Sequence, residues 1–140
     1  MSVSTQSISL QTQGNSAAYN ITEEVAQLVG ESRLTSGTAT IFCPSATSAL
    51  TTIEFESGCI QDLQRLFEEM VDPDRNYAHN DRWGDGNGHA HVRAALLGPS
   101  LSVPFVKGRL TLGTWQQIIF MDFDNRSRNR KLVVQIIGEQ

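Results

Sequence analysis

Apolar and polar residues alternate through QSISLQTQ, from Gln6 to Gln13, which sends one face to a core and the other to water and predicts a strand. The period lengthens in NITEEVAQLVGES. There Ile21, Val25, Leu28 and Val29 recur at helical spacing, with Thr22 as the expected N-cap and Glu23 and Glu24 in a first turn whose dipole favours carboxylates. GTATIFC and ATSALTTIEFE are rich in Thr, Ile and Phe and predict two strands near the centre of a sheet, with Pro44 and Ser45 between them. In the second, Glu54 and Glu56 are two apart and share a face.

GCIQDLQRLFEEMVDPD places Ile60, Leu63, Leu66, Phe67 and Met70 on one helical face and stops at Pro73. The polar, glycine-rich stretch from Asp74 to Gly88 predicts a long irregular loop. HAHVRAALLGPS then reads as a short helix closed by Gly98 and stopped by Pro99. SLSVPFV, KGRLTL, TWQQIIFMDFD and RKLVVQIIGEQ complete the chain as strands, with Lys107–Gly108 forming a hairpin turn. These elements predict an α+β fold in a single domain over residues 1–140, a mostly antiparallel β-sheet or sandwich with about three helices packed on one side.

A 39% apolar and 19% charged composition is that of a folded globular chain. No segment is apolar for long enough to span a bilayer, so no membrane partner is expected. The opening MSVSTQSISLQTQ has neither a basic nor an apolar targeting region, and a cytoplasmic location is the expectation. Cys43 and Cys59 form no CxxC pair and are expected to be reduced and buried. A net charge of −4 argues against a surface that grips nucleic acid. NRSRNRK, the one basic run, reads as a solvated loop between strands.

The candidate chemistry lies between positions 79 and 91, where all three histidines fall. Asp85, Gly86, Asn87 and Gly88 lead into a helix N-terminus, whose outward N–H groups and dipole suit a phosphate. Arg93 follows His89 by four residues, shares its helix face, and is placed to grip the same anion. His79, His89 and His91, with Asp81 and Asp85 between them, equally permit a divalent ion such as zinc if the backbone is extended at H-x-H, histidines that only cap the helix, or a histidine acid–base group. Trp83 stands in the polar loop, and Trp115 and Gln116 open a strand where an indole could wall a pocket for a flat ring and an amide could orient it.

The LLGPSL, VP, GRL, LGTWQ and IIGE elements, in that order after YAHNDRWGDGNGHAHVR, resemble the YjbQ-type family of small proteins from roughly Gly37 to Glu139. That resemblance implies a compact α+β homotrimer with sites near subunit boundaries. It implies a secondary thiamine-phosphate synthase, joining a pyrimidine pyrophosphate to a thiazole phosphate, so the expected partner is a small phosphorylated molecule. The alternative is a non-catalytic trimeric protein that binds a metal or phosphate ligand. By matching position, the resemblance implies His79, His91, Arg93 and Asp62 as catalytic residues. Asp85 to Gly88, Trp115 and Gln116 would bind substrate, and His79, His91 and Asp85 would hold a divalent ion, Mg or Zn. The chain departs from the commoner pattern at Ser45, where many members carry His, and at TTIEFE, which replaces an Asn-Glu pair.

Overall fold

The long strands dictate the architecture. A computed structural model describes residues 1–140. Strand β8 (Arg128–Glu139) pairs along its full length with β1 (Ser2–Thr12), and on its other edge with β3 (Ser36–Phe42), which continues to β5 (Ser100–Val106) and the short β6 (Arg109–Leu110). The order of this five-stranded sheet is β1-β8-β3-β5-β6. A second sheet has β7 (Gln117–Asp122) between β2 (Ala17–Asn20) and β4 (Ser48–Ile53). All pairings are antiparallel, so the expected α+β fold is the one observed. β3 is central as predicted, whereas β4 lies at the edge of the three-stranded sheet.

Four helices complete the fold: α1 (Thr22–Ser32), α2 (Ser57–Met70), α3 (Ala78–Trp83) and α4 (Gly88–Leu97). The additional one is α3, inside the stretch expected to be irregular. It lacks apolar periodicity and buries no residue, so hydrophobic spacing could not reveal it. None of the helices is long and apolar enough to cross a membrane.

The two sheets enclose one core and the second sheet carries another on its far side. Val25 and Val29 of α1 pack with Ile41, Phe105, Val134 and Phe120 in the first. Phe67 of α2 and Ala90 and Ala94 of α4 pack on Ala49, Ile119 and Met121 in the second. Strand β7 is therefore buried on both faces, which explains the unbroken apolar run IIFM within it.

Local chemistry corrects several expectations. The N–H and hydroxyl of Thr22 both donate to Asn20 Oδ1, so Asn20 rather than Thr22 anchors the start of α1, while the Thr22 hydroxyl oxygen accepts from Ile118 N–H. β4 stops at Ile53, so Glu54 and Glu56 lie beyond it, and Glu56 caps α2 by accepting from Cys59 N–H. Of the predicted apolar face of α2 only Phe67 is buried; Leu66 and Met70 are exposed. Cys43 is buried, Cys59 is partly exposed, and both are free thiols. The Lys107–Gly108 turn forms as expected, with φ of 51° and 72° at its two residues, the left-handed pair a two-residue hairpin uses.

Candidate functional site

Two glycines shape the approach to α4. Gly84 ends α3 at φ 72° and Gly86 turns the chain at φ 69°, conformations costly for a residue with a Cβ. The turn delivers Asn87, which is buried, to the N-cap position of α4. Gly88 is needed for a different reason: a Cβ there would meet the Tyr77 side chain at 2.5 Å. This packing brings α3 against α4 and sets His79 beside His91, ring centroids 4.4 Å apart.

His79 Nε2 lies 3.1 Å from Asn87 Oδ1 and 3.3 Å from Asp85 Oδ1. The His79 side chain is about one-third exposed and that of Asp85 about half. Asn87 in turn donates from Nδ2 to Asp124 Oδ1 at 3.2 Å. The partly exposed histidine pair is thus connected through one amide to a carboxylate that is 1% exposed.

That carboxylate belongs to a buried polar cluster. Asp124 also accepts from Asn125 N–H, Thr47 Oγ1 and Arg128 Nε. Burial disfavours its charge, but the Asn125 N–H, the Asn87 amide and the Arg128 guanidinium outweigh burial and hold the carboxyl below its usual range. Arg130 grips Asp122 with Nε and Nη2, at 2.7 and 2.9 Å, and reaches Ser45 Oγ and Thr47 Oγ1. The bond to Asp122 outweighs burial and raises Arg130 above the ordinary arginine value. Thr12 Oγ1 donates to Asp122 as well. NRSRNRK is therefore no simple solvated loop: Arg128 and Arg130, both partly exposed, carry the positive half of an ion-pair network around two buried carboxylates. The available signal was the pair of acids in IIFMDFD, since Asp122 at the end of β7 and Asp124 just beyond it break an otherwise apolar run two residues apart.

The structure separates the remaining candidates. Arg93 is 1% exposed and its guanidinium bonds go to residues outside the DGNG turn: Nε and Nη2 donate to Val71 O at 3.1 and 2.8 Å, and Nη1 donates to Ser16 Oγ at 2.9 Å. Val71 is the C-cap of α2, so this guanidinium terminates a helix. His89 is also buried, with Nδ1 unpartnered; burial first, and then the charge of Arg93, push its imidazole below 6.5. The first turn of α4 is largely occupied by the protein itself, Gly88 N–H by Asn80 Oδ1 and Ala90 and His91 N–H by Asn87 O. Asp62 is exposed on α2 and pairs with Arg65 at 2.9 Å, apart from the histidines. Trp115 and Gln116 precede β7 rather than open it. Trp115 is 71% exposed, and Gln116 lines a cleft of about 400 Å³ with Thr52, Ser102 and Leu112. They lie beyond the opposite end of β7 from Asp122, a strand whose five steps span roughly 17 Å at about 3.4 Å per residue.

His79, His91 and Asp85 do not fit a metal as arranged. No three His, Cys, Asp or Glu side chains gather to hold an ion, and the His79 nitrogen nearest Asp85 already faces the Asn87 carbonyl. The arrangement suits proton handling: an imidazole in partial contact with water, a carboxylate beside it and a fixed amide behind it.

Two antiparallel sheets with a histidine pair on their helical layer, above a buried acid–arginine cluster, define a small α+β protein of the single-domain class. The chain belongs to the family described as UPF0047 protein YjbQ-like, whose model matches residues 6–139. A UPF0047 protein of Methanothermobacter thermautotrophicus is 36% identical over 99% of this chain and 95% of its own length, and one of Archaeoglobus fulgidus is 38% identical over 93% and 98%. A crystal structure of a YbjQ-like protein of unknown function from Sulfolobus solfataricus superposes with a TM-score of 0.89 at 30% identity, covering 99% of this chain and all of that one. An uncharacterized conserved protein of the same family from Clostridium acetobutylicum gives 0.87 at 34% identity over 94% and 99%.

Proposed function

We propose that the protein is a small-molecule enzyme acting on a phosphorylated substrate, and that its reaction is the one the family resemblance implies, union of a pyrimidine pyrophosphate with a thiazole phosphate. The observation that carries an enzymatic reading is His79, partly exposed and aligned by both Asp85 and Asn87. In such a reaction the carbon–nitrogen bond to the thiazole forms as the carbon–oxygen bond to pyrophosphate breaks, and the leaving oxygens take the electron pair. A protonated imidazole beside them neutralises that charge and supplies a proton. His91 packs against His79 and restricts its orientation. Arg93 has no part in anion binding on this reading, because its donors are committed to Val71 and Ser16.

The same reading makes the protein a homotrimer. Trp115 and Gln116 precede β7, whereas His79 is tied through Asn87 to Asp124 just past its other end, and a neighbouring copy can bring its GTWQ segment to the histidines. The experiment is formation of thiamine phosphate from the two precursors by the purified protein, with His79→Gln and His91→Ala variants in parallel. Product that depends on His79 is expected. No product above background in the unaltered protein defeats the enzymatic reading, and phosphate or metal bound by that protein in titration would then favour a static ligand-binding trimer.

A further inference from the structure

We propose that Asn87 is a positioning residue that fixes the tautomer of His79, so that Nε2 carries the ring proton and Nδ1 is the atom that accepts or delivers a proton during reaction. The inference rests on the reading of His79 as the working group and adds which of its atoms works. It follows from accounting for donors and acceptors along one chain of side chains. Arg130 Nη2 donates to Thr47 Oγ1 at 2.8 Å, and Thr47 in turn donates to Asp124 Oδ2 at 3.1 Å. Arg128 and Asn125 N–H also donate to Asp124. Asp124, held in its charged form by these groups, offers only acceptors. The Asn87 amide must therefore present its NH₂ group to Asp124, since the flipped amide would set oxygen against oxygen. Its carbonyl is left facing His79 Nε2 at 3.1 Å. A carbonyl accepts, so Nε2 must donate. Asp85 Oδ1, at 3.3 Å from the same nitrogen, requires the same proton. The lone pair of the neutral ring then resides on Nδ1.

Asn87 suits this role because it is 5% exposed and its amide is held at both ends, whereas the Asp85 side chain is half exposed and its one recorded side-chain partner is His79. The buried ion pairs thus act on the site through a single amide whose direction they determine. Nε2 is also excluded as a lone-pair donor unless Asn87 turns over.

The test is ring ¹⁵N spectroscopy of the full-length protein, without substrate, at a pH where the ring is neutral. The chain has three histidines, and a His79→Gln variant identifies the signals of this one. In the unaltered protein the His79 Nε2 resonance should be pyrrole-like and its proton protected from exchange, with Nδ1 pyridine-like. In Asn87→Ala, with the backbone spectrum otherwise preserved, that protection should fall at least tenfold and the tautomer ratio should relax to that of a solvated imidazole. Asp85→Asn, a substitution at an exposed position, should retain the Nε2 proton. A proton on Nδ1 in the unaltered protein overturns the inference, as does loss of the tautomer in Asp85→Asn but not in Asn87→Ala. Neither readout depends on turnover, so an inactive protein with Nε2 protonated would refute the proposed reaction and leave this assignment standing.

Discussion

Replacing Arg93 with Met distinguishes a structural arginine from an anion-binding one. The substitution keeps most of the buried stem and removes the guanidinium, which donates twice to Val71 O and once to Ser16 Oγ. Glu68, 3.7 Å from Nη2, is 56% exposed and can return to water, so little is charged to its loss. The cost lies in Val71 O, the terminal carbonyl of α2, left without its charged donor where the helix dipole concentrates negative potential. An orphaned buried acceptor costs ~1–3 kcal/mol, and a bond from a charged donor contributes ~1.5–3 kcal/mol. These overlap, and Arg93→Met should lose ~2–4 kcal/mol. For a chain of this length that corresponds to a Tm lower by roughly 7–14 °C. Urea denaturation with an unchanged m-value would measure the loss, and calorimetric titration with inorganic phosphate should give the same affinity for variant and parent. A stability loss under ~1 kcal/mol accompanied by abolished phosphate binding would refute the reasoning and return Arg93 to the anion site.

The buried histidine and the depressed carboxylate both make stability fall as pH drops, in two separate windows of the acid range. His89 is held neutral when folded and protonates near 6.5 when unfolded, so stability is complete above that value and falls as pH drops through it, by at most ~1.4 kcal/mol per pH unit from this group. His89→Gln should flatten that limb in urea titrations between pH 7 and 5. Asp124 has its folded value below 3.8, so its contribution is present above that value and lost as pH falls further; Asp124→Asn should remove this steeper acid limb while lowering stability at pH 7. Gly37 faces Gly138 in the β3–β8 pairing, and a Cβ at Gly37 would collide with the Ile137 carbonyl. Gly37→Ala should cost about 1–3 kcal/mol by thermal melting, whereas Gly30→Ala, with open space at its Cβ on α1, should stabilise by up to ~1 kcal/mol.

The fold was readable where one periodicity governed a segment. β8 and α1 each alternate or recur as their burial does, and Lys107–Gly108 announced its turn through residue type. α3 was not readable because its six residues have no buried side, and its place depends on Tyr77 and Asn80 meeting Gly88, a contact between segments that spacing cannot encode. The edge position of β4 was hidden for a related reason: Ala49 and Leu50 are fully buried although the strand is peripheral, since helix α4 and the neighbouring sheet cover it.

The site was readable as a cluster and misread in its electrostatics. Helical spacing correctly predicts that His89 and Arg93 share a face, but it is silent on whether that face meets water or protein; here it meets the end of α2, and both residues are withdrawn from the surface. Conversely, NRSRNRK has the composition of a solvated loop, and it is the passage of the chain from β7 in one sheet to β8 in the other that brings Arg130 to Asp122. A partly buried arginine bound to a carboxylate on the neighbouring strand of the other sheet contributes little to the pattern of its own segment. What the chain does record is its counterpart, the acids at 122 and 124 closing an apolar run, because such charges are buried at a cost of several kcal/mol unless cations meet them. Two carboxylates in that setting require two cationic partners, and Arg128 and Arg130, two apart on the following strand, are the pair that the same sheet period supplies.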